Sequence, residues 1–261
     1  MLTAARNLVF EKIHNLRDIG GLPTRDGRRM KAGILYRSDE LSAISKNDLT
    51  VLEELDLKMV CDLRTVNERK SRPDRIPPHW EIKEIHVPIH HGSQDMSTFD
   101  LFRTLNGNTD SLDFAKIIHD FYRCLVEERK EQVRQIFELV DEEDNIPALI
   151  HCTGGKDRTG YIAALFQLLA GVEYETVVSQ YLLSNERIAG KMKKTERYLR
   201  LLSLYRIPSE KFKPMLAVDR KHLDFVIGQI RKDYGTIETY LNKGCGLKLS
   251  KIKKIKMMLV E

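Results

Sequence analysis

The sequence passes from strand-forming to helix-forming residues at one junction near residue 150, and this junction constrains the fold more than any other feature. The run ALI (148–150) predicts a short buried strand, the turn HCTGGKDRTG (151–160) follows it, and the apolar run YIAALFQLLA (161–170) is typical of a buried helix. Gly154 and Gly155 permit the backbone angles of a tight turn. Backbone N–H groups of such a turn, together with the N-terminus of the following helix, form a concavity that suits an oxyanion.

Three further strand-like segments precede this junction, at residues 34–38, 59–64 and 82–89. The runs MVC and ALI are apolar without alternation, as expected of strands that are covered on both faces. Helical patterns over 46–56, which follow a cap at Ser45, and over 112–140 separate the segments, and almost all of the chain after residue 151 is helical in pattern. The order predicts an α/β fold with a mostly parallel central sheet flanked by helices and a helical C-terminal third.

The turn also carries reactive side chains. It is not a Walker-type nucleotide loop, because that motif needs Gly where Ile150 stands and Ser or Thr where Asp157 stands. Cys152 heads the turn, and at a helix N-terminus beside Lys156 and Arg158 we expect it to be a nucleophilic thiolate. The planar guanidinium of Arg158 matches two phosphate oxygens. This combination predicts phosphoryl transfer to cysteine; the alternative is a core cysteine beside an unrelated arginine.

The string HCTGGKDRTG resembles the signature loop, His-Cys-x5-Arg-Ser/Thr, of the cysteine-based protein tyrosine phosphatase superfamily. Its internal Lys and Asp resemble those of the bacterial atypical tyrosine/lipid (phosphoinositide) phosphatases. Other stretches are similar to that family too: NLRDIGG (15–21), LYRS (35–38), DLRT (62–65) with Glu68 and RPD (72–74), YLLSN (181–185) and residues 234–241. The resemblance covers nearly the whole chain. It therefore implies one phosphatase domain over residues 1–261, with 90–145 as a lid or insertion and 172–261 as a helical extension.

The resemblance and the chemistry of the loop together assign roles to its residues. Cys152 would attack phosphorus and form a phosphocysteine intermediate, while Arg158 would hold the equatorial oxygens. We expect the substrate-binding set to be Thr153, Gly154, Gly155, Lys156 and Thr159. The Thr159 hydroxyl is placed to help the sulfur leave, and His151 to orient the loop. Asp62, Arg64 and Glu68 follow a core strand; either they support the site by bracing Arg158 or the loop, or, as the favoured alternative, they form a structural ion-pair network.

The leaving oxygen needs a proton, so a carboxylic acid is required near the loop. Asp157 is the favoured candidate because the loop itself fixes its position, as in the atypical bacterial class. Asp95 and Asp100, in the polar segment 90–111, are the alternatives. Lys156 suits a second phosphate on the substrate, as in phosphoinositide phosphatases; its alternative role is general electrostatic help to one phosphate.

Three classes of function are compatible with these residues. The first is an active phosphatase acting on phosphotyrosine, with phosphoserine, phosphothreonine and phosphoinositides as further substrates. The second is a phosphate-binding pseudophosphatase, and the third is a sulfur transferase or arsenate reductase, which also presents a loop cysteine. The phosphatase is favoured because Cys152 and Arg158 are both present. We expect neither a metal nor a cofactor, because this chemistry needs none.

The charge is unevenly distributed along the chain. Residues 190–261 hold 18 Lys and Arg against 7 Asp and Glu, whereas residues 1–189 hold 25 against 31. In the last helical pattern, lysines surround an apolar stripe of Leu249, Ile252, Ile255 and Leu259. This pattern predicts either peripheral contact with an anionic membrane or, as the favoured alternative, a helix packed on the core. We expect a monomer and no nucleic-acid partner.

The expected location is the cytoplasm. The N-terminal residues lack the apolar run of a signal peptide, and no stretch approaches the ~18 apolar residues of a membrane span. Four cysteines without paired spacing favour a reducing compartment. Export by a route that needs no N-terminal signal stays open.

Overall fold

The core of the fold is a five-stranded sheet. The computed structural model describes residues 10–90, 98–107 and 112–261. Its strands are β1 (Arg17–Asp18), β2 (Leu35–Ser38), β3 (Met59–Asp62), β4 (Lys83–His86) and β5 (Ala148–His151), in the spatial order β1-β2-β5-β3-β4. Only β1 and β2 pair antiparallel. The predicted α/β fold with a mostly parallel sheet is confirmed; the two-residue β1 is too short to leave a pattern in the sequence.

Helices precede and follow these strands. They are α1 (Lys46–Glu53), α2 (Val66–Ser71), α3 (Thr98–Asn106), α4 (Phe114–Glu127), α5 (Lys130–Asp141), α6 (Arg158–Leu169), α7 (Tyr174–Arg187), α8 (Ala189–Leu202), α9 (Ser209–Leu216), α10 (Arg220–Tyr234), α11 (Ile237–Thr239) and α12 (Leu249–Met258). Ser45 caps α1 as predicted, since its side chain accepts a hydrogen bond from the Asp48 N–H. Short 3-10 turns occupy Pro78–Trp80 and Glu143–Asn145, and a π turn occupies Tyr240–Gly244.

The pattern over 112–140 forms two helices, α4 and α5, rather than the single helix that its periodicity suggests. The chain changes direction at residues 128–129, so the apolar faces of both helices reach the main core cluster. Phe121 of α4 and Phe137 of α5 are buried there, and Phe137 stacks on Phe166 of α6 with 4.0 Å between ring centroids. These two helices are therefore part of the core, and the role of 90–145 as a lid or insertion stays a prediction. The described part of the polar segment 90–111 contains α3.

The C-terminal helices complete the same core. Ile252, Ile255 and Leu259 of the apolar stripe are buried in the main cluster with strand residues such as Ile150. The surrounding lysines reach carboxylates: Lys251 to Asp141, Lys254 to Glu143 and Lys256 to Glu238, at 3.6, 3.5 and 2.8 Å. Of the two expectations for α12, the structure therefore has the helix packed on the core. Within the described parts of the chain, no helix is both long and apolar enough to cross a bilayer.

The strand register determines where a ligand can bind. Ser38, His151, Asp62 and His86 end their strands in neighbouring register positions along one edge of the sheet. The glycine-containing turn leaves the central strand β5 at this edge. Ligands of open α/β sheets bind beyond the carboxyl ends of the strands, so the fold puts the turn where a binding site is expected.

Candidate active site

Residues 152–158, the turn between β5 and α6 together with the first residue of α6, are here called the phosphate loop. Gly155 has φ +62°, and a Cβ atom there would collide with the carbonyl oxygen of Ser38. Glycine is required on both counts. Within the described chain, no protein group accepts a hydrogen bond from the backbone N–H groups of residues 153–158. These donors, at the N-terminus of α6, are therefore free to bind an anion.

Three side chains from outside the phosphate loop hold its carbonyl groups. Lys191 Nζ donates to the carbonyl oxygen of Thr153 at 3.0 Å, Asn15 Nδ2 to that of Gly154 at 3.0 Å, and Arg37 Nη2 to that of Gly155 at 2.5 Å. The carbonyl and N–H groups of a trans peptide point to opposite sides. Anchoring the carbonyl groups at the periphery therefore leaves the N–H groups on the side away from these anchors.

Two of these three side chains lie in stretches that the sequence analysis had singled out, and the third does not. Asn15 and Arg37 lie in the NLRDIGG and LYRS stretches, although nothing in those stretches indicated what they contact. Lys191 stands in a lysine-rich helix, α8, where its pattern did not distinguish it from solvent-facing neighbours.

Cys152 and Arg158 lie at the two ends of the phosphate loop and are 2% and 5% exposed. Glu68, at the third position of α2, accepts two hydrogen bonds from the Arg158 guanidinium, at 2.7 Å from Nη1 and 2.8 Å from Nη2. The same carboxylate accepts a hydrogen bond from Thr153 Oγ1 at 2.5 Å. Glu68 thus ties both ends of the loop to one point and fixes the orientation of the guanidinium.

The electrostatics of this pair follow from its geometry. Burial by itself would raise the pKa of Glu68, but the hydrogen bonds and charge of Arg158 outweigh burial and lower that pKa to about 2. Burial disfavours the charged form of Arg158, yet its hydrogen bonds to Glu68 and the charge of Cys152 raise its pKa above the usual value. Both partners are therefore ionised at neutral pH.

Asp157, the favoured acid, is bound from two sides. Tyr122 of α4 donates its hydroxyl to Asp157 Oδ1 at 2.7 Å, and Lys156 Nζ lies 2.6 Å from Asp157 Oδ2. The hydroxyl of Tyr181 lies 2.5 Å from that of Tyr122. Burial, followed by the charge of Asp157, raises the pKa of Tyr122 well above its usual value, so its hydroxyl stays a donor. Tyr122 was not foreseen, because in sequence it is one of many apolar positions of α4.

The three residues expected to support the site, Asp62, Arg64 and Glu68, divide into two groups. Glu68 contacts Arg158, whereas Asp62 pairs with the fully buried Arg64 at 2.8 Å. Arg64 also pairs with Asp74 at 2.6 Å, and His151 Nε2 lies 3.2 Å from the same carboxylate. Asp62 therefore does not brace Arg158; it belongs to an ion-pair network behind the loop.

This network also contains ligand types that a metal could use. Oxygen or nitrogen atoms of Asp62, Asp74 and His151 lie within 4.8 Å of one another. The guanidinium of Arg64 already hydrogen-bonds to both carboxylates, with donor–acceptor distances of 2.6–3.1 Å. Its positive charge fills the role that a cation would have, so these residues fit an ion-pair network better than a metal site.

The remaining expected residues are placed as follows. Thr159 is 1% exposed, and its Oγ1 has no hydrogen-bond partner in the described chain, so its proton is uncommitted. Gly154 carries the carbonyl that Asn15 holds. Of the alternative acids, Asp100 falls in α3, and Asp95 lies outside the described residues.

The chain is similar in sequence to known tyrosine phosphatases. A model of the tyrosine phosphatase family matches residues 8–261. A Cupriavidus necator protein named as a tyrosine-protein phosphatase is 28% identical over 251 residues, which cover 95% of this chain and 87% of the relative. The triple specificity protein phosphatase PtpB of Mycobacterium tuberculosis is 28% identical over 190 residues, 67% of either chain. A solved structure of P. aeruginosa TpbA with phosphotyrosine matches 59% of this chain and 70% of its own at 16% identity, with a TM-score of 0.33.

The α/β sheet, the phosphate loop at its carboxyl edge and the Cys and Arg at the ends of that loop define a cysteine-based phosphatase, a hydrolase of phosphoric monoesters. The chain belongs to the tyrosine phosphatase family, whose model spans it from residue 8 to its last residue. Its substrates are phosphorylated molecules. The expected fold, family and class of reaction are confirmed.

Proposed function

We propose that Cys152 carries the phosphoryl group between the substrate and water. In the first step the sulfur of Cys152 bonds to phosphorus while the bond from phosphorus to the ester oxygen breaks. Arg158 and the loop N–H groups stabilise the equatorial oxygens as charge shifts in the transition state. In the second step water attacks phosphorus, the S–P bond breaks, and the uncommitted hydroxyl of Thr159 donates to the departing sulfur. The observation that carries the proposal is the anchoring of three loop carbonyls between Cys152 and Arg158, which leaves the N–H groups for phosphate.

Asp157 is the proposed general acid, and its two partners suggest how it gains and loses a proton. With the site empty, Lys156 neutralises Asp157 Oδ2 as Tyr122 donates to Oδ1. A bound phosphate dianion competes for Lys156. When the ammonium turns to the phosphate, Asp157 Oδ2 is free to face the leaving oxygen, to which it gives a proton in the first step. In the second step the same oxygen accepts a proton from the attacking water.

The proposed substrates are phosphotyrosine, phosphoserine and phosphothreonine in proteins, and phosphoinositides. The name of the mycobacterial relative, a triple specificity protein phosphatase, supports a broad range. Lys156 is paired with Asp157 in the empty site, and a second phosphate on the same substrate would compete for its ammonium in the same way as the first. We therefore expect Lys156 to favour substrates that carry two phosphate groups.

The test compares the wild type with Cys152→Ser on phosphotyrosine peptides, phosphoserine peptides, and mono- and polyphosphorylated inositides, with phosphate release as the readout. We expect turnover by the wild type and none by the variant, which should still bind phosphate esters because the loop keeps its anchors. Turnover by Cys152→Ser would refute the phosphocysteine route. No turnover by the wild type would favour the pseudophosphatase. Arsenate reduction or sulfur transfer without phosphate release would favour the third class.

We also propose that residues 1–261 act as one monomeric domain. The main core cluster joins strand residues such as Ile150 with Leu223 of α10 and Leu259 at the end of the chain, which supports a single cooperative unit. Equilibrium unfolding should follow one transition by two probes, and light scattering should give the mass of one chain.

A further inference from the structure

Large apolar side chains are exposed together where α8 ends. Tyr198, Leu201, Leu204 and Tyr205 are 48%, 59%, 63% and 62% exposed. We call residues 198–205 the α8 tip. Contiguous exposed apolar surface is uncommon on soluble proteins and marks sites of interaction, so the α8 tip is expected to contact something outside this chain.

The backbone of the α8 tip is unusual as well. Leu204 and Tyr205 have φ +51° and +59°, in the left-handed region where a helix end usually has Gly or Asn. Their N–H groups donate to the carbonyls of Leu201 at 3.0 Å and Arg200 at 2.8 Å. Left-handed conformations of non-glycine residues cluster at functional sites. The unfavourable conformation does not bury the side chain of Leu204 or of Tyr205 against the rest of the chain.

Positive charge surrounds the α8 tip. Residues 191–213 contain eight Lys and Arg but only two acidic residues. Lys193, Lys194 and Arg197 are exposed, and none of them forms an ion pair with a carboxylate of the described residues. Apolar side chains bordered by unpaired cations complement a surface with an apolar interior and an anionic boundary, which is the chemistry of an anionic lipid bilayer.

Helix α8 also connects the α8 tip to the phosphate loop. Lys191, Lys194, Tyr198 and Leu201 are spaced three or four residues apart and share one face of the helix. At the N-terminal end of this face, Lys191 Nζ donates a hydrogen bond to the Thr153 carbonyl oxygen. Lys191 and Lys194 line a cavity of about 300 Å³ together with Lys12, His14 and Glu40, so three lysines face one carboxylate, which pairs with Lys191. A surface that contacts the α8 tip would thus adjoin a cavity with an excess of lysines next to the phosphate loop.

We propose that the α8 tip is a docking surface for an anionic lipid bilayer, with its apolar side chains in the membrane interface and its lysines and arginines at the headgroups. The proposal moves the expected membrane contact away from α12, where Ile252, Ile255 and Leu259 of the apolar stripe are buried and Leu249 alone of the stripe is exposed. Its catalytic consequence, preference for phosphorylated lipid in a membrane over the same headgroup in solution, rests on the proposed function; the docking itself does not.

The test is co-sedimentation with vesicles of phosphatidylcholine containing phosphatidylserine, and with pure phosphatidylcholine vesicles, neither of which contains a phosphoinositide. We expect the wild type to bind the anionic vesicles, and binding to weaken as salt is raised. Leu201→Glu/Leu204→Glu should weaken binding by about tenfold or more, since two buried Leu side chains are lost from the interface. The matched control is Leu249→Glu/Met257→Glu on α12, two residues that are also exposed, and it should bind as the wild type does.

Each variant's kcat/KM on a soluble phosphotyrosine peptide shows whether it is folded, and Tyr205→Glu replaces the double variant if that one is not. Cys152→Ser should bind vesicles like the wild type. Docking is thus measured without catalysis, so either proposal can fail while the other holds. The docking proposal is overturned if the wild type does not bind, if the tip variants bind as well as the wild type, or if the α12 control loses as much. It is also overturned if light scattering shows a wild-type dimer that the tip variants dissociate, because the occupant would then be a second copy of the chain.

Discussion

Replacing Glu68 with Gln should destabilise the phosphate loop while keeping its shape. The side chain keeps its size, but it loses the charge that pairs with Arg158, and its amide group turns N–H donors toward those of the guanidinium. Arg158 and Glu68 side chains are only 6% and 18% exposed, so solvent cannot replace the lost partner. Removing one partner of a buried pair leaves the other charge uncompensated.

The magnitude follows from the pKa of Glu68. Its folded-state pKa of about 2, against an ordinary value of 4.5, corresponds to about 3 kcal/mol of stability. This agrees with the ~3–5 kcal/mol that breaking a buried pair costs. Because the folded-state pKa is depressed, the stabilisation is complete above about pH 4.5 and is lost as the pH falls toward 2. The gap in unfolding free energy between wild type and Glu68→Gln should therefore narrow below about pH 4.5.

The assay is urea denaturation at pH 7 and at steps down to pH 3, with kcat/KM on a phosphotyrosine peptide measured in parallel. A misaligned Arg158 should reduce kcat/KM by about 30-fold, equivalent to ~2 kcal/mol for a charged hydrogen bond. Glu175→Gln is the matched control: Glu175 forms a similar two-point pair with Arg220, but both side chains are largely exposed. An exposed pair contributes little, so the control should resemble the wild type. Equal unfolding free energies for Glu68→Gln and the control at pH 7 would refute the reasoning.

Further predictions concern the acid and the thiols. Asp157→Asn should lower kcat by ~10²–10⁴ for alkyl esters, and less for p-nitrophenyl phosphate, whose leaving group hardly needs a proton; an equal loss for both would make Asp157 a structural brace. Tyr122→Phe should lower kcat on alkyl esters by about tenfold through loss of one hydrogen bond to Asp157, with little change on p-nitrophenyl phosphate; an unchanged ratio of the two rates would contradict this positioning role. Iodoacetate at neutral pH should label Cys152 first, because burial raises the pKa of the other thiols, to about 12, 11 and 12 for Cys61, Cys124 and Cys245; peptide mapping that finds another cysteine labelled first would contradict the assignment.

The sequence sufficed to predict the parts of the site that are contiguous in the chain. The strand, the phosphate loop and the helix that begins at Arg158 follow one another within about 20 residues, so their order and local geometry are visible in the residue pattern. The parallel sheet was predictable for the same reason, because apolar strands alternate with helices. The resemblance of the loop to a known signature then identified the family.

The partners of the loop could not be predicted, because they are distant in sequence. Glu68 is 90 residues from Arg158, and Asn15 is 139 residues from Gly154. Periodicity shows which face of a helix is apolar, but it does not show what that face contacts. The same limit explains α12 and the α8 tip: both have apolar residues ringed by cations, and only the packing of neighbouring helices shows that one stripe is buried and the other exposed.

Trapping a phosphorylated Cys152 is the direct test of the proposed mechanism. The enzyme is mixed with a radiolabelled phosphotyrosine peptide, quenched in acid within the first turnover, digested and mapped by mass spectrometry. We expect phosphate on the peptide that contains Cys152, and more of it in Asp157→Asn, whose second step lacks its base. Label on a histidine, or rapid turnover with no labelled peptide at any quench time, would rule out phosphoryl transfer to Cys152.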